Sequence, residues 1–361
     1  HTVEMLGNVT HIGNYAFMEN NLESIVLPDS LLEIGEGAFE HNLLNAIVIP
    51  VGVTEIKESV FHDNNLISAT FLGDVTSIET MAFWDNQLTT IALPSTLTFV
   101  GDAAFFSNQL ESIEIPEGLT TISPGAFMKN NLRYVTFLGN VTHIEYSAFQ
   151  DNQIILIDLP DSLITIDDGA FANNLLDAIT IPSNVTYLGI GAFTRNNIVS
   201  VVFEGTLETI PELAFANNEI TSIVFPNGLV TILEEAFLNN DIETLNLPSS
   251  LESIGESAFR FNKIIELTIP EGVTHIQATA FANNDIETLN LPTSLEYIAD
   301  GAFSINVLNE IVVPASVEWI GEEAFAGNVI ASITILGDPY RFNARWEIIG
   351  FPIELKINES Q

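Results

Sequence analysis

The chain has 361 residues, and nine Lys+Arg against 48 Asp+Glu leave it a formal charge of -39, which repels nucleic acid and anionic lipid and favours basic proteins or divalent cations. Hydrophobic residues make up 47% of it, ample for a core, yet no run approaches the ~18 apolar residues of a membrane span. The absence of cysteine excludes disulfides, thiolate metal sites and cysteine nucleophiles.

The chain opens on His1-Thr2-Val3, midway through a repeat, with neither a Met nor a basic stretch leading into an apolar one. No secretory signal is read there, and the sequence is expected to be a mature fragment or an expressed piece. From Phe17 a phenylalanine recurs every 22 residues up to Phe325, fifteen in all, and an asparagine stands three residues after each, from Asn20 to Asn328. A fixed period of this length marks a solenoid, so residues 1–337 are expected to form one elongated domain of fifteen 22-residue repeats.

Aligned on the Phe, the unit reads L-x-x-I-x-I-P-x-x-L-x-x-I-x-x-x-A-F-x-x-N-x, cleanly so from Ile242 to Lys263. Its first part alternates apolar and polar residues, as in Leu245-Asn246-Leu247, which predicts a short strand with one buried face. Proline follows in eleven of the fifteen units and ends the strand, because it cannot donate to a ladder. The Leu/Val-x-x-Ile segment predicts a second short strand, and G-x-x-A-F, too brief for an α-helix, a turn or a piece of 3₁₀. Stacking such coils builds a buried Phe column and an Asn column whose amides satisfy backbone groups. Both columns read as structural.

This unit resembles the BspA-type leucine-rich repeat, over roughly residues 1–337. Proline after the strand and the Ala-Phe pair carry the likeness, with Val60 once replacing the Ala. The family's common unit is one residue longer and has Cys near where this chain has Asn. The resemblance implies a mostly β leucine-rich-repeat solenoid, a right-handed curved superhelix with a parallel sheet on its concave face, short second strands and 3₁₀ turns. It also implies an exported or cell-surface interaction module that binds a protein through that sheet.

A longer period overlies the repeat. Leu72-Gly73, Leu138-Gly139 and Glu204-Gly205 replace the proline at intervals of 66 residues, the mark of a duplicated three-unit block. After Gly337 the periodicity fails, and Glu347 stands where the next Phe would fall. Residues 338–361 concentrate Tyr340, Phe342, Trp346 and Phe351 and are expected to cap the open end of the stack.

No H-E-x-x-H, G-x-S-x-G or G-x-x-x-x-G-K-[ST] occurs, so neither an enzyme nor a cofactor is expected. His11, His143 and His275 share the frame V-T-H-I but lie six coils apart, too far to share a metal ion, and no metal site is read from them. The pairs Asp63-Asn64, Asp85-Asn86 and Asp151-Asn152 could contribute to a calcium cage, but they recur too irregularly for a repeated site.

The remaining candidates lie on the surface. Outward positions of the first strand are mostly small or β-branched, with Tyr134 among them, and predict a smooth sheet face. Trp84, Phe106 and Met128 follow His62 directly after the core Phe of successive units, and His275, Tyr297 and Trp319 precede the buried Ile of three successive second strands. Exposed aromatic rows of this kind are candidate contact sites for a protein or a glycan. A non-enzymatic adhesion or ligand-binding module is therefore expected, with a carbohydrate binder or a spacer stalk as alternatives.

Overall fold

The computed structural model describes residues 2–5, 7–338 and 340–355. It divides into two compact units, His1–Leu176 and Asp177–Gln361. Both are stacks of parallel-stranded coils with almost no helix.

In the first unit, Ala46–Ile49 pairs with Ser68–Phe71 and Ser112–Ile115 with Tyr134–Phe137, each residue facing the one 22 positions on. The second strands are two residues long, among them Glu55–Ile56, Ser77–Ile78 and Phe99–Val100, in the same register. The second unit repeats the plan with Ala178–Ile181, Ser200–Phe203 and Ser222–Val224, and with a six-stranded sheet of second strands running from Thr209–Ile210 to Trp319–Ile320. Alternation decides what is buried: in Ala46–Ile49 only Ile47 and Ile49 point inward.

The strand-ending proline closes a turn with its carbonyl, as where Leu31 N–H donates to Pro28 at 3.0 Å. Where Leu72 or Leu138 replaces it, the N–H is present and extends the ladder by one bond, to Ile49 and Ile115. The glycine that follows has its own reason. A Cβ on Gly73 would collide with the Val51 backbone, and one on Gly139 with that of Glu117.

The G-x-x-A-F segment takes the turn form. Ala38 N–H bonds Gly35 O within the coil, while Gly37, Phe39 and His41 donate to Glu58, Val60 and His62 of the next coil. This alternation requires a left-handed residue two before and two after each core Phe, and all fifteen coils have both, as at Ser59 and Asp63 (φ 54° and 52°). Among the described residues 3₁₀ helix occurs only at Asn343–Arg345 and Ile353–Leu355.

Both expected columns form. Phe rings stack face to face at 5.4–5.7 Å from Phe17 to Phe171 in the first unit. In the second unit they do so at 5.3–5.7 Å from Phe193 to Phe325. Near-parallel planes at these separations are the offset stacking that aromatic quadrupoles favour. The buried asparagines tie neighbouring coils together, as at Asn64: its Oδ1 accepts from Leu44 N–H at 3.0 Å, and its Nδ2 donates to Phe39 O at 2.9 Å. Amides so engaged leave the backbone of the bend satisfied where water does not reach.

Beyond Gly337 the chain packs on the last coil of the second unit. Phe325 N–H donates to Ile349 O, and Phe351 stacks on Phe325 at 5.4 Å, so a phenylalanine four residues past the expected position continues the column. Gly350 (φ 87°) permits the shift, since a Cβ there would meet the Ala326 backbone. Trp346 is fully buried, with Nε1 donating to Pro352 O. Residues 339 and 356–361 of the expected cap lie outside the described residues.

Candidate functional site

The first-strand face is less smooth than its residues suggest. Residues 90–93 carry no strand, and a cleft of ≈ 590 Å³ opens there, lined by Thr90, Ala92, Ser112 and Glu114. A smaller one of ≈ 340 Å³ lies at Thr244 and Leu245, where pairing is reduced to a single bridge. Tyr134 stands exposed on this face beside exposed Leu156, to which it is bridged. A third cleft, ≈ 640 Å³, lies beside Tyr187 on the second-strand side and is lined by Glu208, Pro211 and Leu233.

The first aromatic row is half-buried. Trp84 lies between His62, stacked at 5.1 Å, and Phe106, edge-on at 5.2 Å. Lys129 Nζ sits 5.2 Å from the Phe106 ring centroid. Met128 continues the row by position and is likewise half-buried.

The second row is more open. His275 and Tyr297 stack at 5.7 Å, and Tyr297 and Trp319 at 6.2 Å with planes 9° apart. The Arg345 guanidinium covers the Trp319 ring at 3.8 Å. Ring faces are thus turned to one another and the edges outward, with Trp319 39% exposed. The structure therefore joins Trp84 to Phe106, and His275 to Tyr297 and Trp319, and places Tyr134 in neither row.

The V-T-H-I frame has a local explanation. In each copy the histidine Nδ1 lies 2.9 Å from the hydroxyl of the threonine before it. The calcium reading weakens as well, because Asn64 is buried with its oxygen already accepting Leu44 N–H, and Asp63 lies 2.6 Å from His41 Nδ1.

Sequence reasoning missed a cluster at the near end of the first row. Glu40, His41 and His62 each offer one ligand atom within 4.8 Å of the others. Glu40 Oε1 is 3.0 Å from His62 Nδ1 and 3.6 Å from His41 Nε2. The Asp63 carboxylate, helped by Glu40, holds the His41 imidazole proton above the usual histidine range despite partial burial. The histidines are 21 residues apart, one short of the period, so an alignment in frames of 22 separates them. The signal lay in the diagonal: Glu40 aligns with His62, and His41 with Asp63.

A family model described as BspA type leucine rich repeat region (6 copies) matches residues 10–133, 120–243 and 230–344. The chain belongs to the BspA-type leucine-rich repeat family. A search of curated proteins finds no match. Among solved structures, this BspA-type chain is similar to a leucine-rich repeat protein from Bacteroides ovatus at 21% identity, covering 91% of this chain and 88% of that one, with a TM-score of 0.56. It is also similar to a leucine-rich repeat protein from Eubacterium ventriosum (19% identity, 86% and 84% covered, TM-score 0.44). A leucine rich cell surface protein from Faecalibacterium prausnitzii matches at 20% identity, with 97% and 90% covered and a TM-score of 0.41. At this identity the Bacteroides likeness speaks for the leucine-rich-repeat fold alone. No helix among the described residues is long and apolar enough to cross a membrane.

Proposed function

We propose that this chain is a non-enzymatic, protein-binding module of an exported or cell-surface protein, and that the segment beyond Gly337 caps its stack while the repeats present the binding surface. The observation that carries the reading is the His275–Tyr297–Trp319 row, an outward aromatic edge with no role in the Phe core beneath it. Rigid aromatic edges are the residues that dominate protein interfaces when a partner desolvates them. The charge of -39 selects basic partners and speeds their approach. Trp84 with Phe106 and Met128, and Tyr134 with Leu156, are further contact surfaces of the same module.

A glycan is the second reading, since sugars stack on aromatic faces. Here those faces are occupied by neighbouring rings and by Arg345, which favours a protein. The test is binding to a panel of extracellular-matrix proteins and glycans, comparing the parent chain with Trp319→Ala, Tyr297→Ala and Trp84→Ala. Selective protein binding lost in the Trp319 and Tyr297 variants supports the reading, and glycan binding lost in them replaces it with the second. A blank panel with the fold intact favours a spacer.

A further inference from the structure

We propose that Glu40, His41 and His62 form a binding site for a borderline divalent cation of the Zn²⁺ class, bridging two adjacent coils of the first unit. Two residues come from each coil and alternate in type, Glu40 and His41 on one, His62 and Asp63 on the next. Each histidine therefore sits beside a carboxylate both along its coil and across to the neighbour. Glu40 touches both imidazoles, with Oε1 3.0 Å from His62 Nδ1 and 3.6 Å from His41 Nε2. Ligand atoms about 2.0–2.2 Å from a tetrahedral zinc lie roughly 3.3 Å from one another. Both Glu40 separations are already close to that value, and the two histidine nitrogens, within 4.8 Å of each other, can close to it by side-chain rotation.

Asp63 supplies the second feature of a built site. Its carboxylate accepts from His41 Nδ1–H at 2.6 Å, which fixes the tautomer and leaves Nε2 directed at Glu40. A carboxylate behind a ligating histidine is the usual way a protein orients the ring and raises its basicity. The side chains of Glu40 and His62 are 14% and 19% exposed, so the ligands are held by packing while His41, at 39%, faces water. Three protein ligands leave a fourth position for water or for a donor from a partner. Two imidazole nitrogens with one carboxylate select zinc, cobalt or nickel over calcium and magnesium, which prefer all-oxygen shells.

The aromatic row reports on the site, because the His62 ring stacks on Trp84 at 5.1 Å. Isothermal titration of the full chain with ZnCl₂, in excess Mg²⁺ to saturate the acidic surface, is expected to give one tight site. Affinity should fall at least about 10-fold in His62→Gln and in His41→Asn, and about 10-fold in Asp63→Asn. Co²⁺ should quench the fluorescence of Trp84, and Trp84→Phe should remove that quenching while the zinc isotherm stays unchanged. Zinc uptake that millimolar Mg²⁺ displaces, or that survives the His41→Asn/His62→Gln double variant, overturns the proposal. So does Co²⁺ quenching that persists in Trp84→Phe. Circular dichroism of each variant confirms that a lost isotherm reflects lost ligands and not a lost fold.

Discussion

The two aromatic rows are built by the same device and reach different ends. Each places one ring per coil at a fixed position, so the 22-residue period alone brings the rings within stacking distance. The His62–Trp84–Phe106 row rides on the turn segment, where the chain bends around the core, and its rings sink halfway into the surface. The His275–Tyr297–Trp319 row rides on second strands, whose side chains stand away from the sheet, and Trp319 stays 39% exposed under Arg345. Position within the coil, more than residue type, decides whether an aromatic stripe packs or projects.

Beneath each row lies the Phe column of its own unit, and removing a core ring should have the largest effect. Phe83→Ala under the first row and Phe281→Ala under the second are each expected to cost about 3–5 kcal/mol in urea unfolding. Asn86→Ala, which strands Leu66 N–H and takes from Phe61 O the shorter of its two bonds, should cost about 1–3 kcal/mol. Equal losses under the two rows would assign the contrast to the surface alone.

The rows themselves should then separate. Trp84→Ala removes half-buried area and two ring contacts and should destabilise by roughly 1–3 kcal/mol. Trp319→Ala loses the Arg345 contact and the looser Tyr297 stack from a more exposed site and should cost roughly 0.5–1 kcal/mol, with its main effect on partner binding. A Trp319 variant as unstable as the Trp84 variant would break the comparison and make the second row structural.

Much of this architecture could be read from the residues. Phe and Asn recur without exception because each fills a position no other side chain serves as well: a ring that stacks in a closed core, and an amide that donates and accepts at a bend. The left-handed positions were illegible for the opposite reason. Tyr15, Met81, Thr279 and Ile305 all occupy them, and only some coils use glycine. The inter-coil bonds outweigh the preference of each residue, so the Gly, Asp and Asn that do occur there, as at Gly37, Asp63 and Asn173, are too scattered to mark the conformation. Phe351 escaped because the tail inserts extra residues before the column resumes, and the Glu40–His41–His62 cluster because it runs diagonally across the repeat. The clefts at residues 90–93 and at Thr244 arise where strand pairing lapses, in segments whose residues still fit the repeat pattern.

That strain gives a smaller test. Ile305 is β-branched at φ 54° and exposed, and L-residues there lose roughly 1–2 kcal/mol. Ile305→Gly should therefore raise stability by up to ~1 kcal/mol by thermal melting, after the entropy cost of glycine.

The smallest effect concerns Glu145, whose carboxyl is raised above 4.5 by burial and then by Asp102 and Asp167. A carboxyl whose folded pKa is raised contributes stability that is fully present below the unfolded value and is lost as pH rises through the folded one. Glu145→Gln should thus gain a little in melting temperature at about pH 7 and nothing at about pH 4. A gain that persists in acid would place its cause elsewhere.

One consequence of the turn segment concerns how many coils such a protein can hold. Tyr15, Phe17 and Glu19 aim their N–H groups forward, at the following coil, whereas the Thr10 and Ile12 carbonyls receive bonds directed backward from that coil. The two rows of peptide dipoles oppose each other within every repeat. An α-helix adds aligned dipoles with each turn and builds a field at its ends. Here adding coils lengthens the stack with little axial moment to accumulate, so duplicating a 66-residue block carries no electrostatic penalty from the backbone.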